Sequence, residues 1–338
     1  MKSLVKPLSA AAMISMLMGS AGLANEVNVY SYRQPELVQP LFDAFTDETG
    51  IEVNVAFLNR GMIERLLAEA ARSPADIIMT VDISRLQAAV DAGVTQAVQS
   101  EILDGAIAPE FRGIDGHWYA LTLRGRVVYA SKARVGEGEI SDYLQLADKK
   151  WKGRICTRSG THPYNLALFS AVIAHLGEAE ARQWLEGVRD NLARKPQGND
   201  RAQVKAIWAG ECDLSLGNTY YLGKMLQDDE QRRWAESVNI EFPEFAGGGT
   251  HVNVSGVAMT AAAQNRDNAL KLMEFLVSAN AQAIYAETNF EYPVTAEARV
   301  SQLVASWGEL KPDSLPLPEI SALRPTALKM VQEVDFDG

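Results

Sequence analysis

From Val27 onward, short apolar runs alternate with stretches whose apolar residues recur at helical spacing. That alternation restricts the chain to a sheet covered by helices on both faces. Residues 27–30 read as a strand. Residues 35–49 read as a helix, with Leu37, Leu41, Phe42 and Phe45 on one face, Pro40 near its first turns and Gly50 as its stop. A strand is predicted at 51–57, a helix at 62–72, a buried strand at 75–79 and a helix at 83–92. A second unit follows. Its strands are predicted at 127–129, 154–155 and 214–216, and its helices at 164–175, 178–193 and 200–209. One more apolar strand is predicted at 255–259, then helices at 265–277 and 327–334. The βαβα order predicts a mostly parallel sheet. With no repeat and no flexible linker, two α/β lobes are expected to share crossing strands, the chain passing back and forth between them.

The amino terminus reads as an export signal. Lys2 and Lys6 precede an uncharged apolar stretch at 8–23, and Gly22 and Ala24 place small residues at a cleavage site after Ala24. No cysteine near that site offers a lipid anchor, and no later segment approaches the eighteen apolar residues of a membrane span. The chain has 338 residues, more than one core usually serves. Its formal net charge of −11 argues against nucleic acid and anionic membranes as partners. That acidity suits a cationic ligand, although solubility explains it equally.

Two cysteines occur, Cys156 and Cys212, each eight residues before a tyrosine, Tyr164 and Tyr220. In an oxidising compartment an even count predicts a disulfide rather than two free buried thiols. If their strands are parallel neighbours, one bridge ties the strand starts and both tyrosines emerge at the far ends. Tyr220 and Tyr221 stand where the run 214–216 passes into a helix. Ligands bind at the carboxyl ends of parallel strands. Paired phenols there are hard oxygen donors suited to a small, highly charged cation such as ferric iron. Taken by itself, a Tyr-Tyr pair is more often packing at a helix start.

Other candidates for chemistry are weak. His117, His162, His175 and His251 form no zinc pattern. Gly247–Gly249 lacks the Gly-Lys-Ser/Thr of a phosphate loop, and Asp76 and Asp82 read as a turn and a helix cap. No Gly-x-Ser-x-Gly nucleophile signature occurs, so no enzymatic role is expected.

Six segments together carry a family likeness: Val-Asn-Val-Tyr-Ser-Tyr-Arg at 27–33, Ala-Asp-Ile-Ile-Met-Thr-Val-Asp at 75–82, Arg-Gly-Arg-Val-Val-Tyr at 124–129, Arg-Ser-Gly-Thr-His-Pro-Tyr-Asn at 158–165, Asn-Thr-Tyr-Tyr at 218–221 and Asn-Phe-Glu-Tyr-Pro-Val at 289–294. Over nearly its whole mature length the chain resembles the periplasmic ferric-ion-binding proteins of bacterial iron ABC importers. The resemblance implies a two-lobed periplasmic binding protein fold of type II, with hinge strands between lobes that close on iron. It divides the chain into a signal peptide at 1–24, a first lobe at 25–122 with 250–298, and a second at 123–249 with 299–338. It implies Tyr164, Tyr220 and Tyr221 as ligands of Fe3+. Where many relatives carry a His or a His-Tyr pair after the first strand, this chain has Gln34 and Pro35. That departure resembles the three-tyrosine branch, which completes the metal sphere with a synergistic anion, here expected to be carbonate. Such an anion needs fixed donors. Arg33 and Arg124 are the candidates, with Arg126 behind them and Gln34 nearby. For Arg33 and Arg124 a surface or interlobe salt bridge is the competing reading. The loop 159–162 offers backbone N–H groups as a further anion nest.

The expected protein is a periplasmic monomer that carries ferric iron to an inner-membrane ABC permease. The alternatives are the same scaffold carrying a polyamine, thiamine or an oxyanion, and a periplasmic enzyme.

Overall fold

The computed structural model describes residues 25–295 and 298–338. The expected signal peptide at 1–24 lies outside the described residues. Nine strands occur among them: β1 Glu26–Ser31, β2 Glu52–Phe57, β3 Ile77–Thr80, β4 Tyr119–Ser131, β5 Ile155–Cys156, β6 Leu214–Asn218, β7 Val238–Glu241, β8 Val252–Met259 and β9 Tyr292–Pro293. Their order is β2-β1-β3-β8-β4-β6-β5, with β7 and β9 also pairing β4.

The sheet is mixed, not mostly parallel. β1 runs parallel to β2 and β3, and β5 runs parallel to β6, as the βαβ order requires. β4 and β8 oppose their neighbours because each enters one half of the sheet from the other. β4 is 13 residues long and buried throughout. Through Gly125 it pairs with β8, and from Arg126 onward with β6. This one strand therefore belongs to both lobes. A register shift between Ala120 and Thr122 bends it on the first-lobe side.

The helices follow the predicted faces. Helix Pro35–Thr49 buries Val38, Leu41, Phe42 and Phe45 and ends at Gly50, whose φ of 68° is the left-handed cap that glycine accepts freely. Leu37 is half-buried and stands at the cleft instead. Asp82 caps helix Ile83–Asp91 by accepting from Ser84 N–H. Asp76 accepts from the N–H groups of Asn28, Gln264 and Asn265, so it closes a turn and is not a reactive carboxylate. Helix Pro163–Leu176 is apolar nearly all round. It packs against helices Glu178–Asp190, Leu317–Ala322 and Arg324–Glu333, the burial that such a sequence demands.

Cys156 and Cys212 form the expected disulfide, with Cα atoms 5.8 Å apart and both residues buried. The bridge does not tie both strands at their starts: Cys156 ends β5, in register with Ser215, and Cys212 lies two residues before β6, so it joins the end of β5 to the chain entering β6. Replacing both by Ser releases a loop with a sequence separation of 56. The expected cost is about 2–4 kcal/mol, read as a lower urea midpoint at unchanged slope. A loss below about 1 kcal/mol would show that the strands hold without the bridge.

Candidate metal centre

Both strands that the disulfide ties lead into helices at the same edge of the sheet. β5 passes through the loop 157–162 into helix Pro163–Leu176, which places Tyr164 in its first turn. β6 passes directly into helix Tyr220–Leu226, whose first two residues are Tyr220 and Tyr221. The rings of Tyr220 and Tyr221 lie 4.2 Å apart between centroids, tilted by 35°. With Tyr164 they line a cleft of about 350 Å³. The opposite wall is the turn after β1, with Tyr32, Arg33, Gln34, Glu36 and Leu37, and the floor holds Arg124, Asn289 and Glu291. All six residues singled out from the sequence therefore meet around one cavity.

Their surroundings differ. Arg33 is committed: Nη1 donates to Glu291 Oε1 at 3.0 Å, and Nη2 donates to Glu291 Oε2 and to Ser255 Oγ, both at 2.5 Å. Arg33 thus forms a buried salt bridge, but not one between the lobes, since by the expected division Arg33, Ser255 and Glu291 all fall in the first lobe. Arg124 donates to Ser255 Oγ at 3.2 Å and to the Val81 carbonyl. It is 2% exposed, its Nε has no protein partner, and its guanidinium carbon lies 5.7 Å from the Tyr164 ring centre. Gln34 is exposed at the rim and makes no side-chain cap to the helix it precedes. The loop 159–162 is not an open nest, because Asp337 takes the Gly160 N–H.

Several cleft residues were not singled out from the sequence. Arg201 stands 5.6 Å from the Tyr221 ring centre, and Arg158 stands 5.3 Å from that of Tyr164. Asp200 is fully buried and bonds both Arg126 and Arg158. Lys224 Nζ donates to the Thr288 carbonyl at 2.7 Å, a contact between helix Tyr220–Leu226 and the end of helix Ala279–Asn289. Helical spacing could place Arg201 and Lys224 on helices but not aim them. For Glu291 the only signal was its place in the segment 289–294.

The charge balance is cationic. Arg126 and Arg158 share the one carboxylate of Asp200. Among the described residues Arg124, Arg201 and Lys224 have no carboxylate within ion-pair distance. The phenols resist ionisation all the same. Burial in the cleft, and then the neighbouring Tyr164 and Tyr221, push Tyr220 well above the ordinary phenol value, against the pull of Arg124. Burial and Tyr164 push Tyr221 up to about 12. Such an arrangement holds neutral phenols until a strong Lewis acid takes their protons. Among the described residues no three His, Cys, Asp or Glu side chains gather as an alternative metal site. His162 Nδ1 accepts from Tyr164 N–H at 3.2 Å. Burial and then Arg158 hold this imidazole down at about 4, so it serves as a neutral helix cap. His175 pairs with Asp313 at 2.8 Å, away from the cleft.

Two α/β lobes sharing crossing strands, with a charged cleft at the strand ends, define a solute-binding protein. Residues 40–312 match the family model of bacterial extracellular solute-binding proteins. The chain belongs to that family. It is 43% identical to iron uptake protein A1 of Synechocystis, over 93% of this chain and 88% of that protein. It is 29% identical to the major ferric iron-binding protein of Neisseria meningitidis, over 88% of each. Among solved structures it superposes on ferric iron-binding protein A of Mannheimia haemolytica in an open conformation with a TM-score of 0.90, at 48% identity over 93% of this chain and 100% of that one. A Trichodesmium protein in complex with iron and citrate gives 0.89 at 38% identity, over 92% of this chain and 99% of that one. Among the described residues no helix is long and apolar enough to cross a membrane.

Proposed function

We propose that this chain captures ferric iron in the cleft between its lobes and delivers it, in the periplasm, to an inner-membrane ABC permease. The observation that carries the reading is the convergence of Tyr164, Tyr220 and Tyr221 on one cavity from two disulfide-tied strands. The names of the relatives support it. In this reading the three phenols lose their protons to the ion and balance its charge. A synergistic anion, carbonate in preference to citrate, then carries the excess negative charge. Arg124 is its best donor, since Nε is buried without a partner, and Arg33 and Gln34 are the other members of the proposed set. The lobes are 25–122 with 250–298 and 123–249 with 299–338, and the monomer closes about β4 and β8. The open conformation of the Mannheimia relative supports such a hinge.

The test is a visible spectrum of purified apo-protein titrated with chelated ferric iron, with and without bicarbonate. A phenolate-to-iron charge-transfer band that strengthens with bicarbonate is expected. No band at saturating iron overturns the ferric reading. Binding of an oxyanion without iron would then favour the oxyanion carrier that a cationic cleft also suits.

A further inference from the structure

The loop that delivers Tyr164 to the cleft is held from behind by a segment remote in sequence. Gly160 N–H donates to Asp337 Oδ1 at 2.7 Å, and Ser159 Oγ donates to Asp337 Oδ2 at 2.5 Å. Beside them Phe336 is 1% exposed. It faces Gly160 so closely that a Cβ there would stand 2.6 Å from its ring, a distance side chains do not tolerate. The same ring packs edge-on against Phe169, with centroids 5.4 Å apart, on the helix that begins with Tyr164's turn. Lys195 Nζ fixes the segment further by donating to the Gly338 carbonyl at 3.0 Å.

Two more donors of the loop are engaged from within the chain. Thr161 N–H donates to Ser159 Oγ at 3.2 Å, and His162 N–H donates to the Ser159 carbonyl at 3.1 Å. The carboxylate of Asp337 thus occupies the place that an external anion would take in a loop of this kind. The bonds to Asp337 are charge-assisted and among the stronger single contacts a loop can make.

We infer that Asp337, seated by Phe336, is a positioning residue for Tyr164. It sets where the phenol oxygen stands relative to Tyr220 and Tyr221, and so the iron affinity, without touching the metal. The inference rests on the ferric-binding reading. Metal–phenolate bonds are short and directional, so a loop free to drift must be reordered each time iron binds. Partners that orient metal ligands typically change affinity by about 10–100-fold when removed.

A double-mutant cycle tests this. Asp337→Ala and Asp337→Asn are made in the wild type and in Tyr164→Phe. Iron retention against citrate, the position of the charge-transfer band and the melting temperature of each apo-protein are measured. Asp337→Ala is expected to weaken retention about tenfold or more and to shift the band. Asp337→Asn, which can still accept from Gly160 N–H, recovers most of the loss. In Tyr164→Phe the further loss on Asp337→Ala falls below about twofold, because the ligand it positions is already gone. Ser159→Ala removes one of the two bonds and leaves Phe336 seated. It moves retention the same way even if Asp337→Ala folds poorly. Unchanged retention in Asp337→Ala and Ser159→Ala, or an equal loss in the Tyr164→Phe background, overturns the positioning role while leaving the ferric reading intact. A wild type without the band overturns both.

Discussion

Tyr220→Phe is expected to abolish most ferric retention and to take with it a large part of the visible charge-transfer band. A four-ligand structural metal site is worth about 10–16 kcal/mol, so one ligand is worth about 3 kcal/mol, a hundredfold or more in affinity. The loss should be at least that large for a phenolate on a trivalent ion. Proton release gives a sharper signature. Tyr221 is pushed up to about 12 and Tyr220 higher still, so both are protonated in the apo-protein at neutral pH. Each phenol that binds iron as phenolate gives up one proton, and bicarbonate bound as carbonate gives up another, so the logarithm of affinity should rise about four units per pH unit at fixed bicarbonate, corrected for the competing chelator. In Tyr220→Phe, Tyr221→Phe or Tyr164→Phe the slope should fall to about three. A wild-type slope near one would reject three-tyrosine ligation whatever the affinity. In the apo-protein the sign is opposite and concerns folding. The unfolded chain ionises Tyr220 and Tyr221 first, so the stability they contribute is held below about pH 10 and is lost as pH rises from there toward the folded values.

The tyrosines that line the cleft were legible for a local reason. Each cysteine sits eight residues ahead of a tyrosine, and β5 and β6 run parallel, so both segments leave toward the same end of the sheet, although the register sets Cys156 beside Ser215 and not beside Cys212. Helices such as Pro35–Thr49 and Asp200–Ala209 were legible from apolar spacing and from glycine stops at Gly50 and Gly210. β4 was legible only toward its carboxyl end, 127–129. Its other half carries Arg124 and Arg126, charged residues that look like a strand's exposed end yet are buried among partners hundreds of ångström of chain away. β8 was read from 255 only, for the same reason, since Asn253 is polar and inside. The direction of β4 and β8 depends on where the chain returns between lobes, which no local pattern encodes. Arg201 and Lys224 required the aim of a side chain from a helix, and Arg33 required a partner 258 residues away.

That partner makes Arg33→Ala the second large effect. Arg33 and Glu291 are 8% and 1% exposed and bond bidentately. Glu291 also accepts from Thr122 Oγ1, so the pair fastens the turn after β1 to the crossing strands. Burial by itself would raise the Glu291 carboxyl, but Arg33, helped by Arg124 and Thr122, turns the net shift downward. Its contribution is therefore present above the unfolded carboxylate value, about 4.3, and is lost as acid drives pH down through the folded value. Without Arg33 the balance reverts toward burial. The variant should lose about 3–5 kcal/mol at neutral pH, because an unpaired carboxylate remains inside. Its deficit relative to wild type should shrink on acidification, as the folded carboxyl takes up its proton. Urea unfolding of both proteins at pH 5 and pH 8 reads this. A deficit under about 1 kcal/mol, or one that grows toward pH 5, would show that the pair is not holding the hinge. Arg33→Ala with Glu291→Gln removes the stranded charge and should recover much of the stability. Iron retention in that double variant then isolates the other role proposed for Arg33. Wild-type retention means that Arg33 only braces the hinge. A loss in a protein that is again well folded means that its guanidinium also serves the bound anion.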